Sequence, residues 1–259
     1  MSIFEIIILA IVEGITEFLP ISSTGHMILV SHFFGNSDNA FVKLFTVNIQ
    51  FGAILSVVLI YRKKFFKDID FYIKLGVAVL PAAAIGFLFG DFVDTLLENV
   101  IVVAVTLILG GVVLILSDKW FLRSIEDKPI STKNSLIIGF FQCLALVPGV
   151  SRSGATIIGG LVQGWSRTQA AEFSFFLAVP TMFLASGYKL VKGYQLITVE
   201  HIEELLLGNL VAFIFAMLAI KFFIGYLTKN GFKIFGYYRI ILGCVILVLY
   251  TIGHPLQVL

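Results

Sequence analysis

The sequence predicts an all-α, polytopic membrane protein made as one domain over residues 1–259 from an inverted-topology repeat, each half a re-entrant helical hairpin followed by three transmembrane helices. Three observations lead there. Of 259 residues, 59% are apolar and only 13% charged, with mean hydropathy +1.02, against roughly 25% charge in an average soluble domain. Six apolar runs each reach the roughly 20 residues that a helix needs to cross a bilayer. Two further apolar segments, one opening each half, are interrupted midway by a polar loop containing proline.

Composition excludes several classes. A 14% aromatic content, mostly Phe, suits helix surfaces that face lipid. Net charge is only +2, and the basic residues form short clusters between apolar runs, which leaves no face for nucleic acid. The expected partner is the lipid bilayer. Cys143 and Cys244 each stand alone in an apolar stretch, so two buried small residues are expected rather than a zinc site or a disulfide. Met1 to Val12 is apolar but carries Glu5, with Glu13 following, instead of a basic leader, so this first helix is expected to be retained.

In order, the predicted elements are a hairpin over 3–33, crossings near 40–61, 71–92 and 98–117, a second hairpin over 134–163, and crossings near 169–190, 204–225 and 235–253. A shift of 129 positions superposes Ser22-Ser23-Thr24-Gly25 on Ser151-Arg152-Ser153-Gly154 and Glu13 on Gln142. A shift of 133 places Leu109-Gly110-Gly111-Val112 over Leu242-Gly243-Cys244-Val245. The repeats therefore run over about 1–128 and 129–259. One hairpin plus three crossings is an odd number of passages, which turns the second half upside down.

Charge placement tests this topology independently. By the positive-inside rule, Arg62, Lys63, Lys64, Lys67 and Lys74 mark a cytoplasmic loop, and Asp91, Asp94 and Glu98 fill the next, outer one. Lys119, Arg123, Lys128 and Lys133 then fall inside, Glu200, Glu203 and Glu204 outside, and Lys221, Lys229, Lys233 and Arg239 inside again. Lys43, Lys189 and Lys192 run against the trend. The first hairpin is expected to dip in from the outer face and the second from the cytoplasm, with both termini outside.

The first hairpin reads Glu13-Gly14-Ile15-Thr16-Glu17, then Pro20-Ile21-Ser22-Ser23-Thr24-Gly25-His26. Two carboxylates four residues apart share one helix face, where like charges in low dielectric repel unless a cation lies between them. Ionisable groups at membrane depth are costly and mark function, so a divalent metal held by Glu13 and Glu17 is expected. Pro20 stops the helix, and Thr24 or Ser23 caps a new one from near Gly25, so backbone N–H groups face the loop.

The second hairpin repeats the device in Pro148-Gly149-Val150-Ser151-Arg152-Ser153-Gly154-Ala155-Thr156. If the two loops meet, two helix N-termini, several hydroxyls and one guanidinium converge, a constellation suited to a diphosphate. Arg152, the only basic residue from Asn134 to Ser166, either forks onto phosphate oxygens or forms an ion pair with Glu13 or Glu17. His26 is a candidate nucleophile or general acid, and Ser23 an alternative nucleophile. His32, His201 and His254 fall at predicted interfaces without polar company and receive no role.

Glu13 to Glu17 with P-I-S-S-T-G-H, and P-G-V-S-R-S-G-A-T later, resemble the two signature regions of the bacitracin-resistance family of undecaprenyl-diphosphate phosphatases. The resemblance covers the whole chain. It implies a bacterial plasma-membrane enzyme with its site on the outer side, dependent on Mg²⁺ or Ca²⁺. The implied reaction releases inorganic phosphate from undecaprenyl or another polyprenyl diphosphate and regenerates the monophosphate carrier for cell-wall glycan synthesis.

On that reading Glu13 and Glu17 hold the metal or act as acid and base, and Ser23 and His26 lie at the reacting phosphorus. Arg152, with Ser151, Ser153 and Thr156, holds the phosphates, and Ser22, Thr24, Gly25 and Gly154 complete the binding loops. Attack by His26, Ser23 or water stays open. The rival reading is a polyprenyl-phosphate flippase, because inverted repeats and broken helices also mark alternating-access carriers. Either a monomer or a homodimer fits the sequence.

Overall fold

The computed structural model describes residues 1–36, 39–65, 68–97, 99–121, 127–253 and 256. Lys67, Glu98 and Arg123 of the charge argument, and His254, lie outside the described residues. All regular secondary structure among the described residues is helical: α1 Ile3–Thr16, α2 Ser23–Phe34, α3 Ala40–Asn48, α4 Gln50–Ile60, α5 Arg62–Phe65, α6 Ile69–Leu88, α7 Gly90–Leu97, α8 Val100–Trp120, α9 Thr132–Cys143, α10 Arg152–Val162, α11 Arg167–Lys192, α12 Val199–Leu227 and α13 Lys233–Thr251.

Local chemistry sets many of the starts. Ser2 and Glu5 form a reciprocal capping box on α1, and Asn39, Asp68, Asn99 and Ser166 each accept from first-turn amides of the helix that follows. Pro81 and Pro180 sit inside α6 and α11, as membrane helices tolerate when neighbours satisfy the freed backbone.

Six stretches among the described residues are long and apolar enough to cross a bilayer: Ala40–Ile60, Ile69–Leu88, Val100–Trp120, Arg167–Lys192, Val199–Leu227 and Lys233–Thr251. The chain is a multi-pass membrane protein. The first of these is two helices joined at Ile49, and the second stops at Leu88, short of the predicted residue 92, with α7 following as a separate helix. Leu80, Phe87, Leu109 and Phe222 point outward from these spans, as lipid-facing side chains do. Cys143 is only half-buried and Cys244 is exposed. This corrects the expectation of two buried thiols: a lipid-facing surface accepts a small apolar side chain as readily as a core does.

Glycines set the closest packing. A Cβ on Gly14 would lie 2.6 Å from the Ala212 carbonyl, which brings α1 onto α12, and one on Gly139 would lie 2.6 Å from the Ala78 carbonyl, which brings α9 onto α6. Between α8 and α13, Gly111 and Gly236 face one another, each added Cβ falling 2.6 Å from the other's carbonyl oxygen. Small residues at such crossings let membrane helices approach closely.

Three placements add to or differ from the sequence expectations. Glu200, Glu203 and Glu204 lie in the first turns of α12 rather than in a loop. His201 has polar company: its Nδ1 lies 2.8 Å from the Leu196 carbonyl, and its ring stacks on Phe41. Arg239, expected with the cytoplasmic lysines, is buried inside α13 at 1% exposure.

Candidate active site

The two polar loops are built alike. After α1, residues 17–21 turn, and α2 opens at Ser23 behind Ser22 at φ 68°. After α9 a short 3-10 turn, Leu144–Leu146, leads through Pro148 and Gly149 to Ser151 at φ 73°, and α10 opens at Arg152. Ser22 and Ser151 are the only non-glycine residues with positive φ among the described residues. α2 starts earlier than expected, at Ser23 rather than near Gly25, and its N-cap Ser22 makes no side-chain cap bond. Ser151 does cap, its Oγ accepting from the Gly154 amide at 3.2 Å.

The loops are held together directly. Ser153 Oγ donates to the Leu19 carbonyl at 2.9 Å and lies 3.0 Å from Ser151 Oγ. Arg239 does more. Its Nε donates to the Leu107 carbonyl at 3.3 Å, Nη1 to Pro20 at 3.2 Å and Val150 at 2.9 Å, and Nη2 to Thr106 at 3.2 Å and Gly149 at 2.9 Å. All five guanidinium donors are thereby taken by main-chain carbonyls of α8 and of both loops. Its positive charge has no carboxylate partner among these contacts.

Glu17 joins the two loops. Its Oε1 accepts from Arg152 Nη2 at 3.0 Å, while its Oε2 accepts from Ser23 Oγ at 2.8 Å. Arg152 Nη1 also donates to the Ser174 carbonyl at 2.9 Å, and its guanidinium lies over the Phe18 ring. The ion pair weighed for Arg152 in the sequence is therefore formed, with Glu17. Glu13, 1% exposed, faces the carboxyl of Glu17 and the amide of Gln50, and its Oε1 has no hydrogen-bond partner.

His26 Nδ1 lies 2.8 Å from the Ser22 carbonyl and Nε2 2.7 Å from the Tyr238 hydroxyl, the two rings being nearly parallel. A carbonyl only accepts, so Nδ1 carries the proton and Nε2 of the neutral ring accepts from Tyr238.

The remaining sequence candidates divide. Ser153 and Thr156 are fully buried, Thr156 Oγ1 lying 2.7 Å from Ser174 Oγ, so both hydroxyls serve the frame around Arg152. Gly25 packs on Leu107 and Gly154 close to Arg239, while Thr24 is half-buried at the mouth of α2. Arg239, Tyr238 and Ser174 were not singled out by pattern. The twin Gly110-Gly111 inside an apolar helix was the available signal for Arg239, because a Cβ at Gly110 would collide with its guanidinium.

A hard divalent cation fits Glu13 and Glu17: both ligand groups are carboxylates, and one buried carboxylate oxygen is unpartnered. No third acidic, His or Cys ligand joins them among the described residues, a donor set typical of Mg²⁺, which keeps waters and takes substrate phosphates as further ligands.

The family of bacitracin resistance protein BacA matches residues 6–245. Proteins named undecaprenyl-diphosphatase match the whole chain: that of Flavobacterium psychrophilum is 54% identical over 262 residues and 100% of both chains. That of Bdellovibrio bacteriovorus is 56% identical over 263 residues and 99% of both, and that of Porphyromonas gingivalis 52% over 282 residues and 100% of both. The chain belongs to the BacA family. The BacA match runs from α1 into α13, so both loops and Arg239 lie inside it.

Proposed function

We propose that this chain hydrolyses undecaprenyl diphosphate to the monophosphate and inorganic phosphate, recycling the lipid carrier used in cell-wall glycan synthesis. The observation that carries the reading is the chain Ser23–Glu17–Arg152 within a membrane-buried setting. It supplies a hydroxyl, a carboxylate that accepts its proton, and a guanidinium, where a transport site needs only binding. The names of full-length relatives support the same activity.

Both nitrogens of His26 are engaged, so attack falls to Ser23. Its Oγ forms a bond to the terminal phosphorus as its proton passes to Glu17, and the bond from that phosphorus to the bridging oxygen breaks, releasing the polyprenyl phosphate with the electron pair. Water then attacks the phosphorus of the phosphoserine as the P–Oγ bond breaks, Ser23 Oγ recovers its proton from Glu17, and inorganic phosphate leaves carrying the protons of the water. Arg152 holds the transferred group, and the buried charge of Arg239 favours its oxyanions. A divalent cation, Mg²⁺ or Ca²⁺, would be held by Glu13 and Glu17 and would neutralise phosphate charge when bound.

We also read the fold as an inverted repeat of two re-entrant hairpins whose loops meet at the site. Its support is the exchanged packing, α1 on α12 and α9 on α6, and the like backbone of Ser22 and Ser151. The positive-inside pattern supports a site on the outer face. The decisive experiment incubates the detergent-purified protein with undecaprenyl diphosphate, with and without chelator. Phosphate release that the chelator suppresses is expected. A flippase releases none, since moving a lipid across a membrane breaks no phosphoanhydride bond.

A further inference from the structure

Six side-chain polar atoms among the described residues are buried without a hydrogen-bond partner, and three of them border the site: Glu13 Oε1, Arg152 Nε and Gln142 Nε2. The first two belong to groups already assigned. Gln142 is not used by the reaction described above, yet it is 1% exposed.

Thr181 Oγ1 donates to the Leu177 carbonyl at 2.8 Å and lies 3.3 Å from Gln142 Oε1, and with the amide in this orientation both protons of Nε2 are without an acceptor. α11 carries several contacts to the site groups along its length. Ser174 contacts Arg152, Thr181 contacts Gln142, Met182 contacts Arg152 Nη2 at 3.5 Å, and Ser186 donates to Gln50, which faces Glu13. Ser174 and Thr181, seven positions apart, share a helix face.

Sequence register adds an independent observation. Gln142 is the counterpart of Glu13 under the shift of 129, so the same place holds a carboxylate in one hairpin and a neutral amide in the other. A second carboxylate would repel a diphosphate. An amide offers two donors without that repulsion, and a buried donor left unmade is costly unless something accepts from it. Gln142 Nε2 and Arg152 Nε are both donors, so what satisfies them is an acceptor-rich group.

We propose that Gln142 is a further diphosphate-binding residue, its Nε2 donating to a phosphate oxygen of the polyprenyl diphosphate beside Arg152. The proposal rests on the phosphatase reading. Gln142→Leu, with Gln142→Met as a near-isosteric second variant should the leucine protein not fold, is tested in the full-length purified protein. The measurements are steady-state kinetics on undecaprenyl diphosphate and thermal unfolding with and without that lipid.

Expected are unchanged or raised unfolding temperature without lipid, loss of most of the lipid-induced shift, and kcat/KM lowered roughly ten- to a hundredfold, as for one lost hydrogen bond to a charged group. Gln142→Glu is expected to lose more than either apolar variant. A folded apolar variant with wild-type kcat/KM overturns the proposal. So does one that unfolds earlier without lipid but keeps the full lipid-induced shift, since that is a framework role. If the wild-type protein itself releases no phosphate, the phosphatase reading fails with it, an outcome distinct from an active wild type beside an unimpaired variant.

Discussion

Ser22 and Ser151, 129 positions apart, hold the same left-handed backbone, φ 68° with ψ 103° and φ 73° with ψ 115°. Such a conformation costs a non-glycine residue about 1–3 kcal/mol and persists where the surrounding structure over-determines it. Here each serine immediately precedes the first residue of a helix, Ser23 in one loop and Arg152 in the other. Those two residues meet through Glu17, so the twin strained turns aim the two loops' polar groups at one carboxylate.

Ser22→Gly is expected to raise stability by about 1 kcal/mol, because glycine relieves the strain and the Ser22 side chain makes no cap bond to lose. Ser151→Gly should gain less, since it also gives up the bond from the Gly154 amide. Thermal unfolding in detergent measures both; earlier unfolding of Ser22→Gly would show that the turn is not strained.

Glu13→Gln and Glu17→Gln are each expected to lower turnover roughly a hundred- to ten-thousandfold, and stability separates them. Glu17 neutralises Arg152, both side chains being nearly buried, and stranding a buried charge costs about 3–5 kcal/mol. Glu13 faces another carboxylate, so Glu13→Gln removes a repulsion and should unfold no earlier than wild type. A Glu17→Gln protein as stable as wild type would mean that the ion pair contributes little.

How much of this the sequence carried follows from contrast. Glu13, Glu17, Ser23, His26 and Arg152 are polar islands in apolar surroundings, and the bilayer makes such islands conspicuous. The six crossings are legible for the same reason. Arg239 was hidden because it follows Lys229 and Lys233 near the predicted cytoplasmic end of a crossing, where a basic residue is the ordinary expectation. Its burial depends on the space over Gly110 and on five carbonyls from three separate parts of the chain. No local pattern encodes that. The supporting hydroxyls of Ser153 and Thr156 look like ligands for the same reason: composition cannot say which way a hydroxyl points.

Arg152→Lys is expected to lose about a hundredfold or more in turnover, nearly as much as Arg152→Ala, because an ammonium cannot reproduce the fork that meets Glu17, Ser174 and a phosphate together. Steady-state kinetics on both variants checks this. A lysine enzyme with near-normal turnover would reduce Arg152 to a counter-charge for Glu17.

Arg239→Lys keeps the buried charge but offers three donors to five carbonyls. At least two of these five hydrogen bonds are then lost, and the loop carbonyls of Pro20, Gly149 and Val150 depend on them most because those of Thr106 and Leu107 also accept within α8, so a loss of thermal stability is expected. Arg239→Ala, which removes all five bonds, should scarcely accumulate as folded protein. A gentler probe is Gly110→Ala, whose Cβ would collide with the guanidinium without removing a donor. The end of an arginine ordinarily swings aside at little cost, but this one is held on every donor, so moving it means breaking bonds to both loops. If Arg239 sets the relation of the loops, Gly110→Ala should lower turnover at least tenfold while the protein remains folded, since misplacing reacting groups by an ångström costs about that much or more. A Gly110→Ala enzyme with wild-type kcat and KM would show that the loops keep their register without Arg239 in place.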